Sequence, residues 1–217
     1  MATLSKRQIL ERIEKGEIGF KPSLDHFQLQ SHSVDLRLGY TFIIPKNWHL
    51  TDKGREALHI DHFNKNRPQY FDTLELEKGQ YFDLLPQEYV LVSTLEQIRV
   101  PNDLMSILYP RSSTNRRGLS VDLTGIIDSG YEGQLVVPIK NNTSSQTIRL
   151  YPGERFVQVT FERLDEAVEI EKSRYHKKDI VEGFIRTKSE IKHNEEEIQL
   201  IQKGEIRELK EKFKISN

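Results

Sequence analysis

The chain has 217 residues, 36% of them hydrophobic, and 32 Lys and Arg against 33 Asp and Glu leave a net charge of -1. That suffices for one sizeable core, and the balanced charge gives no basic footprint for bulk nucleic-acid binding. No apolar run approaches the roughly 20 residues of a membrane span and no secretory signal pattern opens the chain, so the cytoplasm is the expected compartment. The absence of cysteine excludes disulfides, thiol chemistry and the His/Cys/Cys zinc site of nucleobase deaminases.

Residues 4–15 predict the first helix. Ser5 and Gln8 form a capping box, Ile9, Leu10 and Ile13 mark an apolar face, and Gly16 and Gly19 close it. Residues 33–38 alternate Val34, Leu36 and Leu38 with Ser33, Asp35 and Arg37, which predicts a half-buried strand with Asp35 and Arg37 on a solvated face. From 45 to 74 the chain turns polar and irregular, and a surface insertion is expected; His59, Asp61 and His62 share no helical or strand frame for a metal site. Between Thr73 and Phe161 short β-like runs, among them YVLVSTLEQIRV, LMSILYP, QLVVPIK and RFVQVTFERL, are separated by turn residues such as Gly79, Gly118, Gly130 and Gly153. Such spacing predicts a mainly β sandwich or jelly-roll barrel. Residues 190–213 are charged and helix-favouring, with Ile191, Ile198, Ile201, Ile206, Leu209 and Phe213 at loosely helical intervals around Gly204, which predicts one or two amphipathic helices.

The densest chemistry lies in residues 109–133, YPRSSTNRRGLSVDLTGIIDSGYEG. Arg111, Arg116 and Arg117 with Ser112 and Ser113 make an anion-binding set, because guanidinium forks and hydroxyls suit phosphate oxygens. Asp128 would be repelled by a polyanion and is better suited to orienting a water. Chemistry on a phosphorylated small molecule follows.

Residues 110–118 (PRSSTNRRG) resemble the phosphate motif of the dCTP deaminase and trimeric dUTPase superfamily. Residues 125–133 (GIIDSGYEG) resemble its nucleoside hairpin, 33–39 (SVDLRLG) its first motif and 151–161 (YPGERFVQVTF) its fourth. The resemblance implies a distorted jelly-roll or β-clip barrel of the dUTPase type, with an N-terminal helix as in the deaminase branch and a C-terminal helical extension. Residues 1–170 would form the nucleotide-hydrolase core and 171–217 the tail and extension. It further implies a homotrimer with sites between subunits. The roles it implies are catalytic for Asp128, Ser112 and Arg111, and substrate-binding for Arg116, Asp122, Gly125, Ile126, Tyr131, Gln158 and Tyr175. Asp35 shapes the site, and Arg155 either supports the site or decorates its strand. Mg²⁺ would be held by phosphate oxygens and water, with no direct protein ligand.

One position departs from the deaminase pattern. Ten residues past Asp128, where the family's deaminases carry a proton-shuttling glutamate, this chain has Pro138, which has no proton to transfer. Asp122 stands where many dUTPases have asparagine, and an ionised carboxylate only accepts hydrogen bonds. The expected activity is therefore hydrolysis of dUTP to dUMP and diphosphate. Deamination of dCTP and nucleotide binding without catalysis are the alternatives.

Overall fold

The computed structural model describes residues 2–61, 63, 70–121, 125–169 and 195–215. Helix α1 (Lys6–Glu14) begins at Ser5, whose backbone N–H donates to Gln8 Oε1 at 3.0 Å, the capping box expected from the sequence. Ile9 is fully buried and Ile13 packs on the core, whereas Leu10 is 39% exposed. The helix thus offers a narrower stripe than the three apolar residues suggested. It is moored by Leu4, whose N–H donates to Phe161 O at 2.8 Å.

Strands follow as β1 (Gly19–Lys21), β2 (Val34–Pro45), β3 (Trp48–Thr51), β4 (Gly54–Ala57), β5 (Phe71–Glu75), β6 (Phe82–Leu84), β7 (Tyr89–Arg99) and β8 (Leu104–Pro110). After the short helix α2 (Ser112–Asn115) come β9 (Leu119–Val121), β10 (Gly125–Ile127), β11 (Glu132–Asn141), β12 (Ile148–Leu150) and β13 (Arg155–Arg163). The main sheet runs β10-β8-β13-β2-β7-β11-β9, with β1 on β7 and β5 on β2, and it curls into a half-barrel. All its pairings are antiparallel. Its concave face buries Phe42, Phe156 and Phe161 completely, with Phe42 stacked on Phe82 at 4.5 Å between ring centroids. Burial of each such side chain contributes about 1.5–3 kcal/mol.

A second apolar cluster, Ile43 and Leu91 covered by Phe71 and Val136, lies apart from that core. The sheet around Ile43 and Leu91 is therefore covered on both faces, and the strict alternation read into residues 33–38 fails because Gln28, Gln30, Arg111 and Arg155 pack around Asp35. Asp35 is buried, not solvated. Gly39 is required where β2 and β7 shift register: a Cβ there would meet Ser93 Oγ at 2.1 Å and Thr94 O at 2.9 Å.

The polar stretch after β2 forms an exposed hairpin of β3 and β4, followed by edge strand β5. Among the described residues no group of three His, Cys, Asp or Glu side chains could hold a metal ion; His62 lies outside them. Near the C-terminus α3 (Glu195–Lys203) and α4 (Ile206–Lys212) meet at Gly204, with Leu200 buried. No helix among the described residues is long and apolar enough to cross a membrane.

Candidate active site

Arginine placement begins with a change from strand to helix. β8 ends at Pro110, Arg111 stays extended as the N-cap of α2, and the buried Thr114 hydroxyl donates to Phe156 O at 3.1 Å. That bond fastens the turn to β13 and leaves Ser112, Ser113 and Arg116 exposed. Arg111 is aimed by two acceptors. Its Nε lies 3.1 Å from Asp35 Oδ2, and its Nη1 donates to Arg155 O at 3.0 Å.

The same carboxylate oxygen accepts Arg155 Nη1 at 3.1 Å and Gln30 Nε2 at 3.4 Å. Sheet register explains the convergence, since Gln158 of β13 stands opposite Asp35 on one side and Tyr109 on the other. Gln158 also accepts Ser33 Oγ and donates to Pro110 O, both at a long 3.4 Å. Burial pushes the Asp35 carboxyl above the ordinary carboxylate value, while Arg111 and Arg155 pull it the other way. Two guanidiniums pinned by a buried carboxylate, beside exposed hydroxyls, are fixed donors for an oxyanion. Arg117, by contrast, is paired with Glu154 at 3.0 Å, and Arg37 of the first motif with Asp25 at 2.7 Å.

The other predicted residues lie elsewhere. β10 pairs with β8 through Gly125↔Leu108 and Ile127↔Ser106, so Asp128 continues toward the Met105 end while Arg111 follows Pro110 at the opposite end. From position 105 to 111 is six steps of strand, roughly 20 Å at about 3.3 Å per residue. One chain therefore does not bring the acid and the arginine clamp together.

Asp128 is exposed in the β10–β11 turn, which is held by Ser129 Oγ donating to Leu104 O at 2.6 Å. Tyr131 packs its ring on the core and donates its hydroxyl to Gln134 O. β10 is the last strand of the sheet and Ile126 is 69% exposed, so outward backbone groups of Gly125 and Ile126 can meet a ligand's hydrogen-bonding edge. Pro138 of β11 pairs with Leu91 of β7 and lies on the face away from buried Val137 and Ile139. Asp122 and Tyr175 lie outside the described residues.

A family model for dCTP deaminase-like proteins matches residues 3–164. The chain belongs to the dCTP deaminase-like family. A family relative from Aquifex aeolicus named "dCTP deaminase, dUMP-forming" is 34% identical over 193 residues, covering 87% of this chain and 98% of its own. A protein of the same name from Dictyoglomus thermophilum is 35% identical over 177 residues, 81% of this chain and 86% of the relative. Among solved structures, the 2'-deoxycytidine 5'-triphosphate deaminase from Agrobacterium tumefaciens matches with a TM-score of 0.55 and 23% identity, over 73% of this chain. The match spans 48% of that solved chain, and it speaks to the fold alone.

These names overturn the expectation of a plain dUTP diphosphatase. That expectation weighed one side chain, Pro138, against a likeness that runs from the N-terminal helix through β13. The phosphate motif and the hairpin occur in both branches and do not discriminate between them. The sequence reading also left Arg155 undecided and did not single out Gln28 or Glu96. The fourth motif contains Arg155, but its contact with Asp35 depends on strand register.

Proposed function

We propose that this chain converts dCTP to dUMP, releasing ammonia and diphosphate: dCTP + 2 H2O → dUMP + NH3 + diphosphate. The single observation that carries this reading is the whole-core likeness to relatives named dCTP deaminase, dUMP-forming, and the arginine and hydroxyl set supports it. One water replaces the 4-amino group of the base. The other attacks the α-phosphorus, breaks its bond to the bridging oxygen and lets diphosphate leave.

Arg111 and Ser112 hold the phosphates and stabilise charge developing on their oxygens, with Arg116 and Gln158 at the rim. Asp128 orients the water that attacks phosphorus. Tyr131 packs under the sugar, and the backbone at Gly125 and Ile126 reads the base edge. Since the clamp and the acid stand roughly 20 Å apart by strand spacing, a complete site takes its clamp from one copy and its hairpin from another, in a homotrimer. Cationic and hydroxyl donors suit a metal that arrives on the nucleotide, so Mg²⁺ would be held by triphosphate oxygens and water and neutralise charge there.

Pro138 carries no ionisable group, so proton transfers at the 4-amino group need a donor other than the side chain at 138. The deciding experiment follows ammonia, diphosphate and the nucleotide product from dCTP separately. Ammonia and diphosphate in equal amounts, with dUMP as product, are expected. Absence of ammonia from dCTP would overturn the proposal.

A further inference from the structure

A buried carboxylate that the proposed chemistry does not touch lies behind the arginine cluster. Glu96 is 1% exposed, and among the described residues it takes part in no ion pair. Burial raises its carboxyl above the ordinary glutamate value, against the pull of the N–H groups it accepts. A buried, unpaired acid is costly, and an apolar side chain at a core position would avoid that cost.

Its location explains what it supplies. β7 pairs with β2 as far as Leu38↔Thr94, then with β1 from Lys21↔Gln97 onward. Glu96 sits where the neighbour changes, and its side chain fills the gap in the ladder. Oε2 accepts the backbone N–H of Arg37 at 2.9 Å, and Oε1 accepts Gln28 Nε2 at 2.7 Å. Gln28, itself 2% exposed, donates the same Nε2 to Asp35 O at 2.9 Å and accepts Asp35 N–H on its backbone oxygen at 2.7 Å. Asp35 is thus gripped on both sides along the chain: through Gln28 directly, and through Arg37 two residues on. Asp35 in turn holds Arg111 and Arg155.

We infer that Glu96 is a positioning residue for the phosphate-facing arginines, acting through Gln28 and the Arg37 amide on Asp35. The inference rests on the reading of Arg111 as a phosphate clamp. Two donors face Glu96, so only a group that accepts at both atoms satisfies them. In Glu96→Gln the new NH2 must oppose one of these donors. Gln28 cannot turn its amide to help without giving up its bonds to Asp35 O and to the Asp25 N–H, which its Oε1 accepts at 3.1 Å.

The test titrates inorganic tripolyphosphate into the full-length chain by calorimetry, so that binding is read without turnover. Glu96→Gln and Gln28→Leu are each expected to weaken binding about tenfold, and the double variant no more than the weaker single one, as for residues in one network. Ile98→Val, a core control from the same strand, is expected to lower thermal stability and keep the affinity. Glu96→Gln binding within about twofold of wild type would overturn the assignment while the clamp reading stands. A wild-type chain that binds no tripolyphosphate would overturn the clamp reading itself. If Glu96→Gln does not fold, Gln28→Leu decides by the same criterion.

Discussion

Replacing Asp35 with Asn removes one charge and keeps the side chain's size. Asp35 Oδ2 accepts from Arg111, Arg155 and Gln30, and hydrogen bonds to charged groups contribute about 1.5–3 kcal/mol each. The arginine side chains are 25% and 29% exposed, so water replaces part of what they lose and the cost is about halved. A neutral group also recovers desolvation, because burial outweighs both arginines in setting the direction of the Asp35 shift. The net loss in stability is about 1–2 kcal/mol, whereas affinity for tripolyphosphate falls about tenfold because Arg111 is no longer aimed. Urea denaturation at fixed protein concentration and calorimetric titration measure the two effects. A stability loss above about 4 kcal/mol, with the remaining affinity intact, would mean that Asp35 braces the fold and does not shape the site.

Gly39→Ala drives a methyl group into Ser93 Oγ and Thr94 O, and should lower stability by about 2–3 kcal/mol. Adding Ser93→Ala should restore only part of the thermal midpoint, since the carbonyl contact remains. Both Asp35 and Glu96 have carboxyls raised by burial, so the folded chain binds their protons more tightly than the unfolded chain does. Their contribution to stability is full below the ordinary carboxylate range and is lost as pH rises through the raised values; urea midpoints between about pH 4 and 8 should lose that limb in Glu96→Gln. Asp25, lowered by its bond to Arg37, has the opposite sign: its contribution is present above the ordinary value and fades as pH falls. Finally, Asp128→Asn and Arg111→Ala chains should each fail to release diphosphate from dCTP, yet an equimolar mixture refolded together should recover about a quarter of wild-type release. No recovery would argue against sites shared between copies.

Much of this architecture could be read from residue order. The capping box at Ser5 and Gln8, the succession of short strands and the helix pair broken at Gly204 are local patterns with local causes. So was the gathering of Arg111, Ser112 and Ser113, which adjoin along the chain. Features set by strand register were hidden. Alternation placed Asp35 outside because it assumes one wet face, and here Gln28, Arg111 and Arg155, from three other segments of the chain, close over that position. Arg155 reaches Asp35 from a strand more than a hundred residues away, and Glu96 reads in STLEQ as one more polar residue on an alternating strand. The separation of Asp128 from Arg111 is likewise invisible in a contiguous motif, because β8 and β10 must first be paired.

That separation also has a consequence for how activities diversify. In the proposed reading β8 is a spacer with the Arg111 clamp past one terminus and the turn that carries Asp128 past the other, so either end can change without moving its counterpart. A single frame can then host catalysts that share one end of the spacer and differ at the other, and position 138, on β11 against Leu91 of β7, lies off the spacer, so a change there leaves both ends as they were.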